Sequence, residues 1–177
     1  MKTRLFSMVA ALTLVAGLSA CATPSRPEAM TLAATTGLVA APGDTGYKSV
    51  ATVVVNGGSE TNPLWTAQVS NADLKKALEA SLDAAGYLGS EGRPLTVTAN
   101  MVELNQPMAG LGMSVNSRIQ YQVSRDGQTI FNDTVAATGT AGLSDALAAV
   151  ERLRIANERS VQENIKEFLK RFRATAS

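Results

Sequence analysis

Three segments in the second half of the chain show the hydrophobic patterning of β-strands. Residues 95–104 and 113–124 alternate apolar with polar side chains, so each segment has one face for a core and one for water. In residues 129–139 the alternation is poorer, because Asp133 interrupts the face that Phe131 and Val135 occupy. The apolar positions of the first two segments are Leu95, Val97, Ala99, Met101, Met113, Val115, Ile119, Tyr121 and Val123.

An earlier strand and a helix are predicted before these segments. Residues 47–55 are rich in valine and are followed by Asn-Gly-Gly, which is typical of a buried strand that ends in a turn. A helical period then begins at Ser70 or Asn71, either of which can cap the helix. Gly86 is expected to end that helix in a left-handed conformation.

A long final helix completes the predicted fold. It is expected over residues 145–171, with Ser144 as its cap, and an Asp126-Gly127 hairpin turn joins the two strands before it. The order β-α-β-β-β-α indicates an α+β domain, in which two helices pack on one face of a four-stranded, mainly antiparallel sheet. The core stripe of the last helix is expected to comprise Leu147, Val150, Val161, Ile165, Phe168 and Phe172.

The start of the chain has the pattern of an export signal. Lys2 and Arg4 precede the almost wholly apolar residues 5–18. This run is shorter than the roughly 20 apolar residues that a transmembrane helix needs. Residues 1–20 are therefore predicted to be a signal peptide.

The sequence Leu-Ser-Ala-Cys at residues 18–21 resembles the bacterial lipobox. The resemblance implies that Cys21 becomes the first residue of the mature protein and carries diacylglycerol on its sulfur, with a further acyl chain on its amino group. Several acyl chains together give stable anchoring, which one chain does not. Ala22 follows where an aspartate would retain such a protein at the inner membrane, which implies the periplasmic face of the outer membrane. The alternative is that Cys21 is an apolar residue near an ordinary signal-peptide cleavage site.

Residues 22–46 are small and rich in Pro, Gly and Thr, without a clear apolar period. We therefore predict a lipidated N-terminus and flexible tether over residues 21–46 and a single α+β domain over residues 47–177.

Composition narrows the function. Sixteen Lys and Arg residues balance fifteen Asp and Glu residues, and Lys2 and Arg4 leave with the signal, so nothing indicates a nucleic-acid partner. The chain has no histidine, which is the commonest general acid-base group and a common zinc ligand, and its only cysteine is assigned to lipid. We expect no catalytic residues, no metal and no cofactor other than the covalent lipid.

Three segments are candidates for contact with a partner or lipid. Leu64 and Trp65 lie in a loop that enters the first helix, and either anchor a partner or cover the sheet. Met108 and Leu111 lie in a glycine-rich connection between two strands, which is either a binding tip or a plain link. In the last helix Arg154 and Asn157 either cap loop carbonyls or receive a polar partner, while Glu151, Arg152, Glu158 and Arg159 are expected to pair on a solvated face.

The lipobox and the order of elements together resemble small bacterial envelope lipoproteins. The nearest families are the YajG-like lipoproteins, the lipoprotein of the lipopolysaccharide-assembly complex and the auxiliary lipoproteins of lipid-transporting ABC systems. The resemblance implies an outer-membrane-anchored, non-enzymatic module that binds an envelope protein or lipid during envelope biogenesis or lipid transport. The alternatives are a lipid or glycolipid carrier with an apolar pocket and, last, an envelope enzyme such as a sugar-nucleotide acyltransferase.

Overall fold

The computed structural model of the protein describes residues 22–34, 37–64, 66–91 and 93–176. Within these residues, four strands form one sheet in the order of the chain, with the first pair parallel and the other two pairs antiparallel. This confirms the predicted α+β class, with a short additional helix near the start. The elements are α1 (Pro27–Met30), β1 (Val50–Asn56), α2 (Asn71–Ala84), β2 (Leu95–Asn105), β3 (Met113–Arg125), β4 (Gln128–Ala141) and α3 (Ala149–Ala176).

The alternation of β2 and β3 places their apolar residues on the covered face of the sheet. Val97 pairs with Val123, and Ala99 pairs with Tyr121, and all four side chains are buried. The turn between β3 and β4 has positive φ at both Asp126 and Gly127, as a two-residue hairpin requires. The sheet therefore has the wet and dry faces that the sequence predicts.

Helix α2 begins and ends as its capping residues predict. The Ser70 hydroxyl accepts a hydrogen bond from the Asp73 amide at 3.1 Å, which satisfies a free donor of the first turn. Gly86 follows the helix with a φ of +75°, a conformation that favours glycine. The buried side of α2 packs on β1 and consists of Leu74, Ala77, Leu78, Ser81 and Leu82.

Helix α3 differs from the prediction at its start. It begins at Ala149, so Ser144 is not its cap and Leu147, expected in the core, is 88% exposed. The reason is a turn in which Asp145 accepts a hydrogen bond from the Gly142 amide and its own amide donates to the Gly142 carbonyl. Because the amide and the carboxylate of Asp145 are both bonded within this turn, neither is available to begin or cap the helix at an earlier residue.

The face of α3 toward the sheet is polar in its first half and aromatic in its second. Phe168 stacks on Tyr121 with ring centroids 4.1 Å apart, and Phe172 meets Phe131 edge to face. One turn before Phe168, toward the start of the helix, Asn164 donates to the Val135 carbonyl at 2.9 Å. The space between α3 and the sheet is thus filled by rings at one end and by hydrogen-bonded side chains at the other.

Residues 22–34 and 37–46, expected to form a flexible tether, pack on the domain instead. Helix α1 lies against both α2 and α3, and its Met30 is completely buried. Leu38 and Ala40 join the same core, and the Ala40 amide donates to the Ala85 carbonyl. The few apolar residues of this segment thus contribute to the core, although they follow no regular period. Within the described residues, no helix has the length and hydropathy that a bilayer span requires.

Candidate functional site

Three loops meet at one end of the domain and expose large apolar side chains. They comprise residues 61–64 and 66–69 before α2, residues 106–112 between β2 and β3, and residues 142–148 between β4 and α3, and we call them together the apolar end. Their exposed apolar side chains are Leu64 (74% exposed), Met108 (fully exposed), Leu111 (74%), Leu143 (51%) and Leu147 (88%).

Asn157 of α3 fixes the first two loops to each other. Its Nδ2 donates to the Ala67 carbonyl at 2.9 Å, and its Oδ1 accepts from Nε2 of Gln106 at 2.8 Å. The same Gln106 nitrogen lies 2.8 Å from the Ala67 carbonyl. Because Asn157 is completely buried, these bonds are shielded from water and hold the loop backbone in one position.

Arg152 joins the second and third loops. Its Nη1 donates to the carbonyls of Ala146 and Leu147 at 3.0 and 2.6 Å, and its Nη2 donates to the Gly110 carbonyl at 3.3 Å. The side chain is buried, contrary to the expected solvated, ion-paired position. Arg152 begins a row of buried residues that recur every four positions along α3. The row continues with Ala156, Ser160, Asn164, Phe168 and Phe172. Extending this helical repeat by one turn toward the N-terminus of α3 would have predicted from the sequence that Arg152 is buried.

A chain of charges fixes the N-terminal segment to α3. Arg154 is buried and donates from Nε to Glu151 at 3.0 Å, with further bonds to Glu151 and Glu158. Glu158 in turn accepts from the amide of Arg26 at 2.9 Å and from its Nε at 3.2 Å. The hydrogen bond from Arg154 lowers the pKa of Glu151, and the same bond raises the pKa of Arg154. Glu158 is also buried, contrary to its expected place on a solvated face, because it is bonded to Arg154 and to Arg26 of the N-terminal segment.

The predicted contact residues therefore fall into two groups. Leu64, Met108 and Leu111 are exposed at the apolar end, whereas Arg154 and Asn157 are buried and bonded to neighbouring groups of the domain. The bond from Asn157 to the Ala67 carbonyl is one of the two alternatives that the sequence allowed for this residue, the capping of a loop carbonyl. Cys21 and Trp65 lie outside the described residues, so their predicted roles remain predictions.

The described chain begins at the apolar end. The amide of Ala22 donates to the Pro63 carbonyl at 2.8 Å, and that of Ser25 donates to the Gln68 carbonyl at 3.1 Å. Residues 22–25 thus run beside the loop that carries Leu64. The residue that the lipobox pattern marks for acylation directly precedes this contact in the chain.

A groove of about 560 Å³ opens between the first two loops. Its size is in the range of sites for small ligands, although its lining is mixed rather than apolar. The lining residues are Leu64, Thr66, Gln68, Gln106, Pro107, Met108 and Leu153.

Charge is almost absent from the three loops. Asp145 is the only charged residue within these bounds, and Glu60 directly precedes the first of the three loops, in a chain of which 18% is charged. Hydrogen bonds from the Arg159 side chain and the Gly142 amide lower the pKa of Asp145 to about 2, so it is paired as a carboxylate at neutral pH. In the described part of the chain, no three His, Cys, Asp or Glu residues are grouped to hold a metal ion.

Comparison with solved structures shows where else this fold occurs. Protein XCC0632 from Xanthomonas campestris, of the family DUF330, matches with a TM-score of 0.54 and 10% identity over 82% of this chain and 95% of its own. Protein CT253 from Chlamydia trachomatis matches with a TM-score of 0.51 and 12% identity over 73% of this chain and 98% of its own. At these identities the two matches show a shared fold alone.

A minor lipoprotein from Acinetobacter baumannii is also similar, with a TM-score of 0.45 and 14% identity over 72% of this chain and 92% of its own, which is too distant to carry an argument. No protein-family model matches the sequence, and no curated protein matches it.

Proposed function

We propose that the protein is a non-enzymatic lipoprotein, anchored through Cys21 at the periplasmic face of the outer membrane, whose apolar end binds a protein or lipid partner. Its role would be in envelope biogenesis or lipid transport, like the YajG-like, lipopolysaccharide-assembly and ABC-auxiliary lipoproteins that it resembles.

One observation carries this proposal. The exposed apolar side chains Leu64, Met108 and Leu111 share one end of the domain with Ala22, the residue after the lipobox cysteine. Single exposed apolar residues are common on soluble proteins, but a contiguous group marks an interaction surface. Bonds from buried Arg152 and Asn157 hold the loops in place, so the surface is preformed rather than ordered on binding.

The anchor is tested by feeding cells radioactive palmitate and separating inner from outer membranes. We expect label on the wild-type protein in the outer-membrane fraction, and neither label nor stable membrane association for Cys21→Ser. A wild-type protein with an unmodified thiol, detected by mass spectrometry, would contradict the proposal.

The binding surface is tested by placing a photo-crosslinking amino acid at position 108 in cells. We expect adducts with an envelope protein or lipid from position 108, and none from the matched position 134, which is exposed on the outer face of the sheet. Equal adduct formation at both positions would remove the apolar end as the binding surface.

The groove favours a second candidate, a carrier of a lipid or glycolipid. Its volume of about 560 Å³ would hold part of an acyl chain, with Leu64, Met108 and Leu153 as apolar lining. The region between α3 and the sheet, where a larger pocket would lie, is occupied by stacked aromatic rings. Lipid that co-purifies in stoichiometric amount with the unanchored Cys21→Ser protein in the absence of detergent, and is lost when Met108→Gln is added, would favour this candidate over the first.

A further inference from the structure

We propose that the apolar end rests on the phospholipid leaflet that holds the protein's own lipid anchor, so that Leu64, Met108, Leu111 and Leu147 lie in the headgroup region. This inference rests on the proposed function, because it requires the lipid on Cys21. It adds the identity of the occupant, which is the bilayer surface and not another protein.

The segment that joins the lipid anchor to the domain packs on the domain and provides no flexible tether. A flexible tether of residues 22–46 would let the domain move roughly 25 to 30 Å from the membrane, at about 5 to 6 Å times the square root of its length. Instead Ser25 and Met30 are buried, Ala22 is bonded to Pro63, and Arg26 is bonded to Glu158. The anchor therefore leaves the domain directly at the apolar end and keeps that end at the leaflet.

The three loops carry almost entirely uncharged side chains. They present leucine and methionine side chains, and their single charge, on Asp145, is paired with Arg159. Moving such a surface into the headgroup region costs little free energy of desolvation, because few charges are involved, and the removal of apolar area from water is favourable. The balanced charge of the chain means that the contact depends on apolar burial rather than on attraction to anionic lipid.

The three loops can enter the membrane no deeper than the headgroup region. The loops have irregular backbone, which cannot enter the hydrocarbon region without leaving polar groups unsatisfied. The loops also contain the polar side chains of Asn62 and Ser144, and these, like the loop backbone, need the hydrogen-bond partners that headgroups and water supply. Only the side-chain tips then reach the acyl boundary, about 5 to 10 Å deep, as in interfacial helices.

The anchor alone keeps the protein on the membrane, so the apolar end determines orientation rather than attachment. The opposite end of the sheet, with the turn at Asp126-Gly127, then points into the periplasm. The measurement must therefore report the depth of single positions and not the amount of bound protein.

The chain suits such a measurement because its only cysteine is the acylated one. We would introduce Leu111→Cys, Leu147→Cys and, as the matched control on the exposed sheet face, Thr134→Cys, and label each with the dye NBD. The full lipidated protein would be reconstituted into vesicles of phosphatidylethanolamine and phosphatidylglycerol that contain lipids with a nitroxide quencher near the headgroup. Circular dichroism would check that each variant is folded.

We expect blue-shifted emission and at least twofold quenching at positions 111 and 147, unchanged by 0.5 M salt, and emission like that in water at position 134. Leu147→Asp should reduce the quenching at position 111 at least twofold, because it brings an unpaired charge to the same loops. Equal signals at positions 111, 147 and 134 on protein that floats with the vesicles would overturn the leaflet contact and leave the lipoprotein proposal intact. A blue shift of the NBD emission that occurs only after addition of envelope proteins would overturn the leaflet contact in favour of a protein occupant. Wild-type protein that does not float would overturn both proposals.

Discussion

Gly139 in β4 lies directly beneath α3, and a single methyl group there should separate the helix from the sheet. A Cβ at this position would lie 2.2 Å from the Ala156 carbonyl oxygen and 2.2 Å from the Ser160 nitrogen. Both are backbone atoms of α3, so no side-chain rotation relieves the contact. Because Cβ atoms do not approach closer than 3.0 Å, the helix must retreat by at least about 0.8 Å in Gly139→Ala.

This retreat breaks hydrogen bonds that are shielded from water. Ser160 donates from its hydroxyl to the Ser117 hydroxyl at 2.8 Å and lies 3.1 Å from the Ala137 carbonyl. A shift of about 0.8 Å takes both beyond bonding distance. Overpacking costs about 1–3 kcal/mol and each buried unsatisfied group about 1–3 kcal/mol, so we expect a loss of about 3 kcal/mol in the free energy of unfolding. For a domain of this size, that lowers the melting temperature by about 10 °C.

Urea denaturation followed by circular dichroism, with the protein in mild detergent, measures this loss. The matched control is Gly142→Ala, three residues along, where a Cβ would meet nothing within 4 Å and φ is not positive. The control should stay within about 0.5 kcal/mol of wild type. If Gly139→Ala were as stable as Gly142→Ala, the close approach of α3 to β4 would be refuted.

Two further predictions concern the loops of the apolar end. Asn157→Ala removes the bonds to Ala67 and Gln106 and should cost about 2 kcal/mol and speed proteolysis in residues 61–69, whereas the exposed Asn132→Ala should change neither. Asp145 has a pKa of about 2 in the folded protein, against about 3.9 when unfolded, so its stabilising effect is complete above about pH 4 and is lost as the pH falls toward 2. The free energy of unfolding should therefore rise with pH across this window, and Asp145→Asn should make the slope shallower. An unchanged slope in urea titrations would contradict the pairing of Asp145 with Arg159.

The sheet was predictable because its signals are local. A strand that covers a core on one face needs an apolar residue at every second position, and β2 and β3 satisfy this almost without exception. The cap at Ser70 and the turn at Asp126-Gly127 depend on residues adjacent in the chain. Neither feature requires knowledge of a distant partner, so the sequence alone indicates both.

The N-terminal segment was not predictable by the same reasoning. Met30, Leu38 and Ala40 follow no helical or strand period; Met30 is buried where α1 packs on α2 and α3, and Leu38 and Ala40 belong to the same core. Low apolar periodicity and many small residues are equally typical of a flexible tether. Only the tertiary structure distinguishes the two, since the burial arises from contacts with residues more than forty positions away, such as the bond from the Leu32 amide to Ser81.

The candidate site was predictable only in its exposed part. Apolar residues in glycine-rich loops, such as Met108 and Leu111, are visible as anomalies in the sequence. The supports beneath them are not, because charged residues on a helix are ordinarily solvated. Arg152 and Glu158 are exceptions that pair inside with loop carbonyls and with Arg26 and Arg154.

The polar half of α3 holds the loops of the apolar end in place, whereas the aromatic half contributes most of the stability that α3 gives to the domain. The polar half, from Arg152 to Asn164, bonds to carbonyls of the loops and of β3 and β4, and the net contribution of each such bond to stability is modest, about 1 kcal/mol. The aromatic half, with Phe168 and Phe172, buries large rings whose truncation costs about 3–5 kcal/mol. Replacement of the forked guanidinium in the polar half, as in Arg152→Lys, should therefore cost about 2 kcal/mol, because the ammonium reaches fewer of its three carbonyl partners, and it releases Gly110 and Leu147 from each other. A truncation in the aromatic half, such as Phe168→Ala, should lower the stability of the whole domain, so the two halves can be tested separately. If Arg152→Lys destabilised the domain as much as Phe168→Ala, the buried guanidinium would be part of the core and not a support for the apolar end.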